Sequence, residues 1–357
     1  VATIWFYSIP MIIFFGGVIV WRERDTNSHQ FYNTLPLPGW MSYLSKLFTL
    51  LGIIIFFLLM ILLTGIFSQV VILGWTDIEL SLYLKHLFGI EFLYHAMVAV
   101  LVLFLLNLTN NKYLGYFLCA AFFFADILVF RVYDWDFLLL HFGRVPGFVY
   151  SNMNGFGHFA PIIFWHSLYW LFAALILAIL TSLIWRRGEE TALKMRLHSA
   201  IQGITRLPKY ALLTFSLLFM ITGSFIIYNK YILNDYLSYD DYRKMRADYE
   251  KNYGKYRQVA QPTLQHVDLQ VDLFPQKRDV LIKGYYTLKN KTVQPIDSIF
   301  VNLSKRRITH INQLEFNRTA ELQYLGKEFG FRIYQLEKPL LPNEEIRLSF
   351  NLETRTE

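Results

Sequence analysis

The amino-acid sequence predicts an α-helical polytopic membrane bundle of six spans followed by a small antiparallel all-β domain. Three observations carry this. Of 357 residues, 54% are hydrophobic and only 17% charged, where soluble domains carry about 25% charged residues. The apolar residues are concentrated: up to about Tyr231 they form long runs, and from Asn234 onward charge and amide groups take over. From Pro262 the apolar period becomes two, the signature of half-buried strands.

A helix needs about 20 apolar residues to cross roughly 30 Å of hydrocarbon. Runs of that kind lie at 3–21, 47–73, 88–108, 114–132, 161–185 and 210–229, within a membrane domain spanning 1–231. The first is read as a true span, since no basic segment precedes it and no small-residue cleavage pattern follows; Pro10 predicts a kink. Ten Lys and Arg residues lie in the first, third and fifth connections and three in the others, the tail excluded. The odd connections are therefore expected inside, with Val1 and everything after Tyr231 outside. A start in mid-helix composition and an end just after a strand-like run also read as a piece of a longer polypeptide with further spans upstream.

The external connections differ. Gly74–His86 is short and acidic at Asp77 and Glu79, whereas Tyr133–Ala160 is long, aromatic and glycine-containing, as expected for an interfacial cap with Trp135 and Tyr150 among the headgroups. Residues 232–260 form a juxtamembrane linker in which Tyr236, Tyr239, Tyr242, Tyr249, Tyr253 and Tyr256 recur at helical steps, read as a stalk helix on or rising from the membrane. The β-domain, 261–357, has alternating segments at 267–273, 280–288, 297–304, 308–316, 329–337 and 345–352, separated by turn signals such as Asn290-Lys291 and Pro342-Asn343. A sheet this small needs a partner layer, which the chain is expected not to supply.

Composition and motifs exclude several chemistries. The net charge of +7 resides largely in short connections, so nucleic acid is set aside. The single Cys119, inside an apolar run, excludes a disulfide framework and a cysteine-based zinc site. There is no G-x-x-x-x-G-K-[ST], no H-E-x-x-H and no G-x-S-x-G. Ionisable residues inside spans are costly and mark candidate sites. Glu91 and His95 share one face of the third span. Asp126, in the fourth, lies 15 residues after the intervening turn near Asn111 and His95 lies 16 before it, so an antiparallel hairpin places the two at about one depth. The expectation is a facing His95–Asp126 pair with Glu91 one turn outward: either a structural lock between helices or a proton- or substrate-gating site.

Two stretches resemble known families. The first connection, Trp21-Arg-Glu-Arg-Asp, then Phe31-Tyr-Asn-Thr-Leu-Pro-Leu-Pro-Gly-Trp and Leu44-Ser-Lys-Leu, resembles the permease subunits of ABC-2 type exporters. The tail, Pro262-Thr-Leu-Gln-His-Val-Asp-Leu-Gln-Val-Asp-Leu-Phe-Pro with Lys283-Gly-Tyr-Tyr-Thr-Leu-Lys-Asn-Lys-Thr and Phe331-Arg-Ile-Tyr-Gln-Leu-Glu-Lys-Pro-Leu-Leu-Pro, resembles the N-terminal β-domain of M1 family zinc aminopeptidases. Together they resemble a bacterial ABC transporter permease fused to an M1 aminopeptidase module. The resemblance implies the bacterial cytoplasmic membrane, an external β-domain, and a separate cytoplasmic ATP-binding subunit met by the first connection through Glu23, Arg24, Leu35, Pro36, Trp40 and Lys46. It also implies that zinc and the peptidase motifs belong to a following catalytic domain, so this chain is expected to carry no cofactor and no catalytic residue. Three readings follow: a transport component, a membrane anchor for a periplasmic zinc aminopeptidase, and a membrane-anchored binding or sensor protein.

Overall fold

The structure is a computed structural model that describes residues 2–28, 38–132, 137–153, 155–157, 159–185, 193–234, 236–275, 277, 279–303, 309–326 and 328–355. It divides into two compact units, Val1–Asp240 and Asp241–Glu357.

The first unit is helical: α1 (Ala2–Asp25), α2 (Gly39–Phe67), α3 (Leu80–Leu84), α4 (Phe92–Leu108), α5 (Lys112–Val132), α6 (Phe159–Leu183), α7 (Leu193–Gly203) and α8 (Arg206–Ile227). Wider π-helical turns at Ser68–Ile72, Lys85–Glu91 and Tyr228–Ile232 prolong α2, join α3 to α4, and prolong α8. Among the described residues, four helices are long and apolar enough to cross a membrane: Gly39–Ile72, Leu80–Leu108, Phe159–Leu183 and Arg206–Ile232. The two other predicted runs are helical as well, α1 over 24 residues and α5 over 21.

Burial explains the arrangement. α4 is apolar on every side, and nearly all of it from Met97 to Asn107 is buried, as expected of a helix without a polar face. Helices α1, α2, α5 and α6 surround it, and α8 packs on the outer side of α6. α2 buries only the stripe Tyr43, Lys46, Leu50, Ile54, Leu58 and Leu62, at three- and four-residue steps. Its other faces expose Phe48, Phe56, Leu63 and Phe67. In water such a surface would drive association; against acyl chains it costs nothing.

Among the described residues, the second unit holds most of α9 (Tyr239–Tyr253) and seven strands, β1 (Thr263–Phe274), β2 (Asp279–Lys289), β3 (Ile296–Asn302), β4 (Thr309–Phe316), β5 (Ala320–Gly326), β6 (Phe331–Leu340) and β7 (Glu345–Thr354). They form two antiparallel sheets, ordered β1-β2-β7-β4 and β3-β6-β5. The register follows the period-two pattern: Val271 lies opposite Ile282, which lies opposite Leu352. Ile296, Ile299, Leu336, Leu340 and Ile346, with Leu288 and Phe316, form one cluster drawn from both sheets. The chain therefore supplies part of the partner layer that its sequence was expected to lack. β1 is the exception, with Val267, Leu269, Val271 and Leu273 all exposed.

Two further expectations are corrected. β5 has no counterpart among the alternating segments, because it is an edge strand, exposed along most of its length, and needs no strong alternation. The tyrosine-rich helix is not a bare stalk. Tyr249, Tyr253 and Tyr256 pack on Phe329, Phe331 and Phe300, with 4.5 Å between the Tyr253 and Phe331 rings. Burial and a contact with the Tyr324 hydroxyl push the Tyr253 phenol up to about 12. Asn290, the start of an N-x-T triplet, is buried, and its side-chain amide donates to the carbonyls of Gln294 and Leu340, clamping the turn after β2.

The turn between β5 and β6 depends on Gly330, whose φ of +70° and proximity to the Leu303 carbonyl, 2.1 Å from where a Cβ would stand, leave no room for a side chain. Gly330→Ala is expected to destabilise the β-unit by roughly 1–3 kcal/mol. Pulse proteolysis of the full chain in urea, reading the fragment from the β-unit, checks this; an unchanged midpoint contradicts it.

Candidate functional site

The candidate site begins where the π-helical turn Lys85–Glu91 passes into α4. Such turns widen the helix by one residue and re-aim the side chains that follow. Here they carry His86 and Glu91, with His95 one turn further on. His95 is fully buried, and its Nδ1 lies 2.6 Å from the Glu91 carbonyl oxygen. A carbonyl only accepts, so Nδ1 bears the proton; in the neutral ring Nε2 accepts from the Ser8 hydroxyl of α1 at 2.8 Å. The Glu91 carboxylate is 2% exposed, with His95 Nδ1 at 3.8 Å and His86 Nε2 at 3.7 Å, both beyond hydrogen-bond range.

Asp126 is not the partner of His95. Its two carboxylate oxygens accept from His141 Nδ1 at 2.7 Å and from Arg144 Nη2 at 2.9 Å. Equal depth does not fix rotation about the helix axis, and the chain returns after α5 to give Asp126 its partners. The connection expected to cap the bundle instead buries Leu139 and His141 within it. Gly143, at φ +74°, lets this segment lie against the Tyr94 ring, 3.0 Å from where a Cβ would be. His141 and Arg144 were missed because both stand in a stretch that reads as interfacial. The available signal was Arg144 itself, a cation in an apolar connection that needs a counter-ion.

Tyr94 stands between the two constellations, within electrostatic range of Glu91, Asp126 and Arg144. Beside it lies a cavity of about 190 Å³ lined by Glu91, Tyr94 and Ser167 and by the apolar groups of Ile90, Met97, Val145 and Phe148. His86 lies over the Phe148 and Phe156 rings at 6.0 and 6.5 Å.

The other predicted residues lie at the far end of α4. Lys46 Nζ is 2.5 Å from Glu23 Oε1, joining α1 to α2, and Lys112 Nζ is 2.5 Å from Asp25 Oδ2, joining α1 to α5. Arg24 sits over the Trp21 ring, and Trp40 is 50% exposed. Leu35 and Pro36 lie outside the described residues. Sequence reasoning missed Arg196 of α7. It is buried, and its Nη1 donates to the carbonyl oxygens of Asn107 and Ile184 at 2.9 and 3.1 Å. These carbonyls belong to the C-terminal ends of α4 and α6, where unpaired acceptors and the negative end of the helix dipole favour a cation. Burial, and secondarily the like charge of Arg24, pull the Arg196 pKa below the ordinary arginine value.

Among the described residues, no group of three His, Cys, Asp or Glu side chains is placed to hold a metal ion. No protein-family model matches the chain, and no curated protein is significantly similar to it.

Double-mutant cycles test the revised pairing. Asp126→Ala and Arg144→Ala are expected to couple by about 0.5–3 kcal/mol in unfolding free energy, whereas Asp126→Ala and His95→Ala add within about 0.5 kcal/mol. Coupling of the second pair as strong as that of the first contradicts the assignment.

Proposed function

We propose that this chain is the membrane-embedded permease component of an ABC-2 type export system in the bacterial cytoplasmic membrane. In this reading it has six spans, α1 and α5 included, and works with a separate cytoplasmic ATP-binding subunit. One observation carries the reading furthest. Residues of the first connection (Glu23, Asp25, Lys46), of the turn between α4 and α5 (Asn107, Lys112) and of the segment after α6 (Ile184, Arg196) meet in one charged platform. Three odd-numbered connections gathered at one end of a bundle are what six alternating spans produce, and their excess of Lys and Arg favours the cytoplasmic side. The β-unit is then external. An exposed Trp40 and Met41 beside that platform offer an apolar contact for the ATP-binding subunit.

The β-unit, with its likeness to the start of an M1 aminopeptidase, is proposed to be non-catalytic as it stands, zinc belonging to a following catalytic domain. A second reading, in which the spans chiefly anchor an external zinc aminopeptidase, is favoured by β1, whose exposed apolar row offers a face to a further domain.

Two measurements test the proposal. Cys119 is buried and gives little background, so an impermeant maleimide is expected to label Val293→Cys in intact spheroplasts and to spare Ser199→Cys until the membrane is opened; the reverse pattern overturns the topology. Trp40→Ala is expected to reduce co-purification with the ATP-binding subunit at least tenfold while the bundle remains monodisperse. Undiminished recovery of the complex contradicts the contact.

A further inference from the structure

We propose that this chain self-associates through the outer edge of β1, two copies pairing their β1 strands antiparallel about a two-fold axis at Leu269. The inference concerns the β-unit alone and depends on neither functional reading above. An edge strand presents a row of backbone N–H and C=O groups to any extended chain, and proteins blunt such rows with short or bulged strands, proline or lysine. Among the described residues the two sheets have four edges, and three of them are blunted. β4, β3 and β5 hold eight, seven and seven residues, and the pairing of each is broken by a register shift. β1 is different. It has twelve residues with no proline and no lysine, all of them exposed, and from His266 to Phe274 it pairs with β2 without interruption.

The side chains indicate the occupant. Val267, Leu269, Val271 and Leu273 stand on one face of β1, and His266, Asp268, Gln270 and Asp272 on the other. Antiparallel strands set residues of the same face opposite one another, so the two-fold axis must pass through a residue. Centring it on Asp268 sets that aspartate against itself, and centring it on Gln270 sets Asp268 against Asp272 of the second copy. Like charges directly opposite are destabilising. A centre at Val271 sets Asp268 against Phe274, and one at Val267 runs into the bulge between Leu264 and His266. A parallel pair in register sets both aspartates against themselves. The centre at Leu269 avoids every one of these conflicts. It sets Leu269 against Leu269, Val267 against Val271, Asp268 against Gln270 and His266 against Asp272. The last pair forms twice and is favourable in either state of the imidazole, which donates an N–H to the carboxylate when neutral and adds a charge when protonated.

Symmetry supports the same choice. An extended segment of another protein would gain the same backbone hydrogen bonds, but it would leave its own second edge open. Two copies of β1 close both edges in one isologous contact, which cannot propagate into a fibre. The sheet β4-β7-β2-β1 then continues through the second copy in the reverse order as one sheet. Each exposed row from Val267 to Leu273 also gains a neighbouring apolar row.

The test is disulfide cross-linking of the full chain in the membranes of the producing cells, with copper phenanthroline as oxidant; Cys119 is buried and gives little background. Leu269→Cys is expected to yield linked dimers. Leu273→Cys is expected not to, because its counterpart would lie about 26 Å away at about 3.3 Å per residue. Co-produced chains bearing Val267→Cys and Val271→Cys are expected to link to each other and neither to itself. In that mixed pair, Leu269→Lys in both chains sets two ammonium groups on the axis and is expected to lower the linked fraction at least tenfold. Should the lysine variant fail to fold, His266→Glu sets a glutamate against Asp272 and is expected to lower linkage at least threefold; adding Asp272→Lys is expected to restore it, which a folding defect would not do. Equal linkage at Leu273→Cys and Leu269→Cys, linkage that survives Leu269→Lys, or no recovery in the double variant each overturns the proposal. So does Leu269→Cys linking to no chain or only to a different protein, which assigns the edge to another occupant.

Discussion

Where no water is present to satisfy polar groups, each must find its partner inside the protein, and the bundle depends on how this chain meets that demand. Ser8 of α1 bonds to His95 of α4; Asp126 of α5 takes up His141 and Arg144 from the following connection. At the other end, Arg196 of α7 ties the C-terminal ends of α4 and α6 together. Every one of these contacts joins different segments. In lipid the hydrophobic effect does not drive helices together, so van der Waals packing and interhelical hydrogen bonds of about 0.6–2 kcal/mol must hold them. α4, uniformly apolar, gives four neighbouring helices a surface to pack on, and the polar pairs at its two ends set their order and depth.

The same demand shapes the candidate site. The carboxylates of Glu91 and Asp126 both lie within electrostatic range of Tyr94. Asp126 receives two short hydrogen bonds, one from a guanidinium, and is a closed structural lock. Glu91 stands 3.7 and 3.8 Å from its two histidines and lines a cavity. The π-helical turn that carries Glu91 places it on the cavity wall, and the left-handed backbone at Gly143 brings the far wall close.

The β-unit follows aqueous rules. Its two sheets bury a shared apolar cluster, and three tyrosines of α9 and the turn beyond it cover the aromatic surface of β3 and β6. Here hydrophobic burial is the driving term. The edge strand β1 keeps its apolar row exposed, which leaves this the least complete part of the unit.

The sequence by itself determined the helical and strand-rich halves, the positions of the long apolar runs and six of the seven strands, because hydrophobic length and period are local properties. It also marked Glu91, His95 and Asp126 as residues in need of partners, since an ionisable group in an apolar run is visible in one dimension. Which partner each received was decided only by the tertiary structure. His95 and Asp126 stand at matching distances from their turn, yet helix rotation and the return of the chain through His141 and Arg144 assign Asp126 elsewhere. Arg196 reads as one basic residue among several until α4 and α6 end beside it. Tyr253 reads as part of a surface stripe until Phe329 and Phe331, some seventy-five residues later, bury it. Periodicity states which side of an element faces away from water; only the folded chain states what it faces.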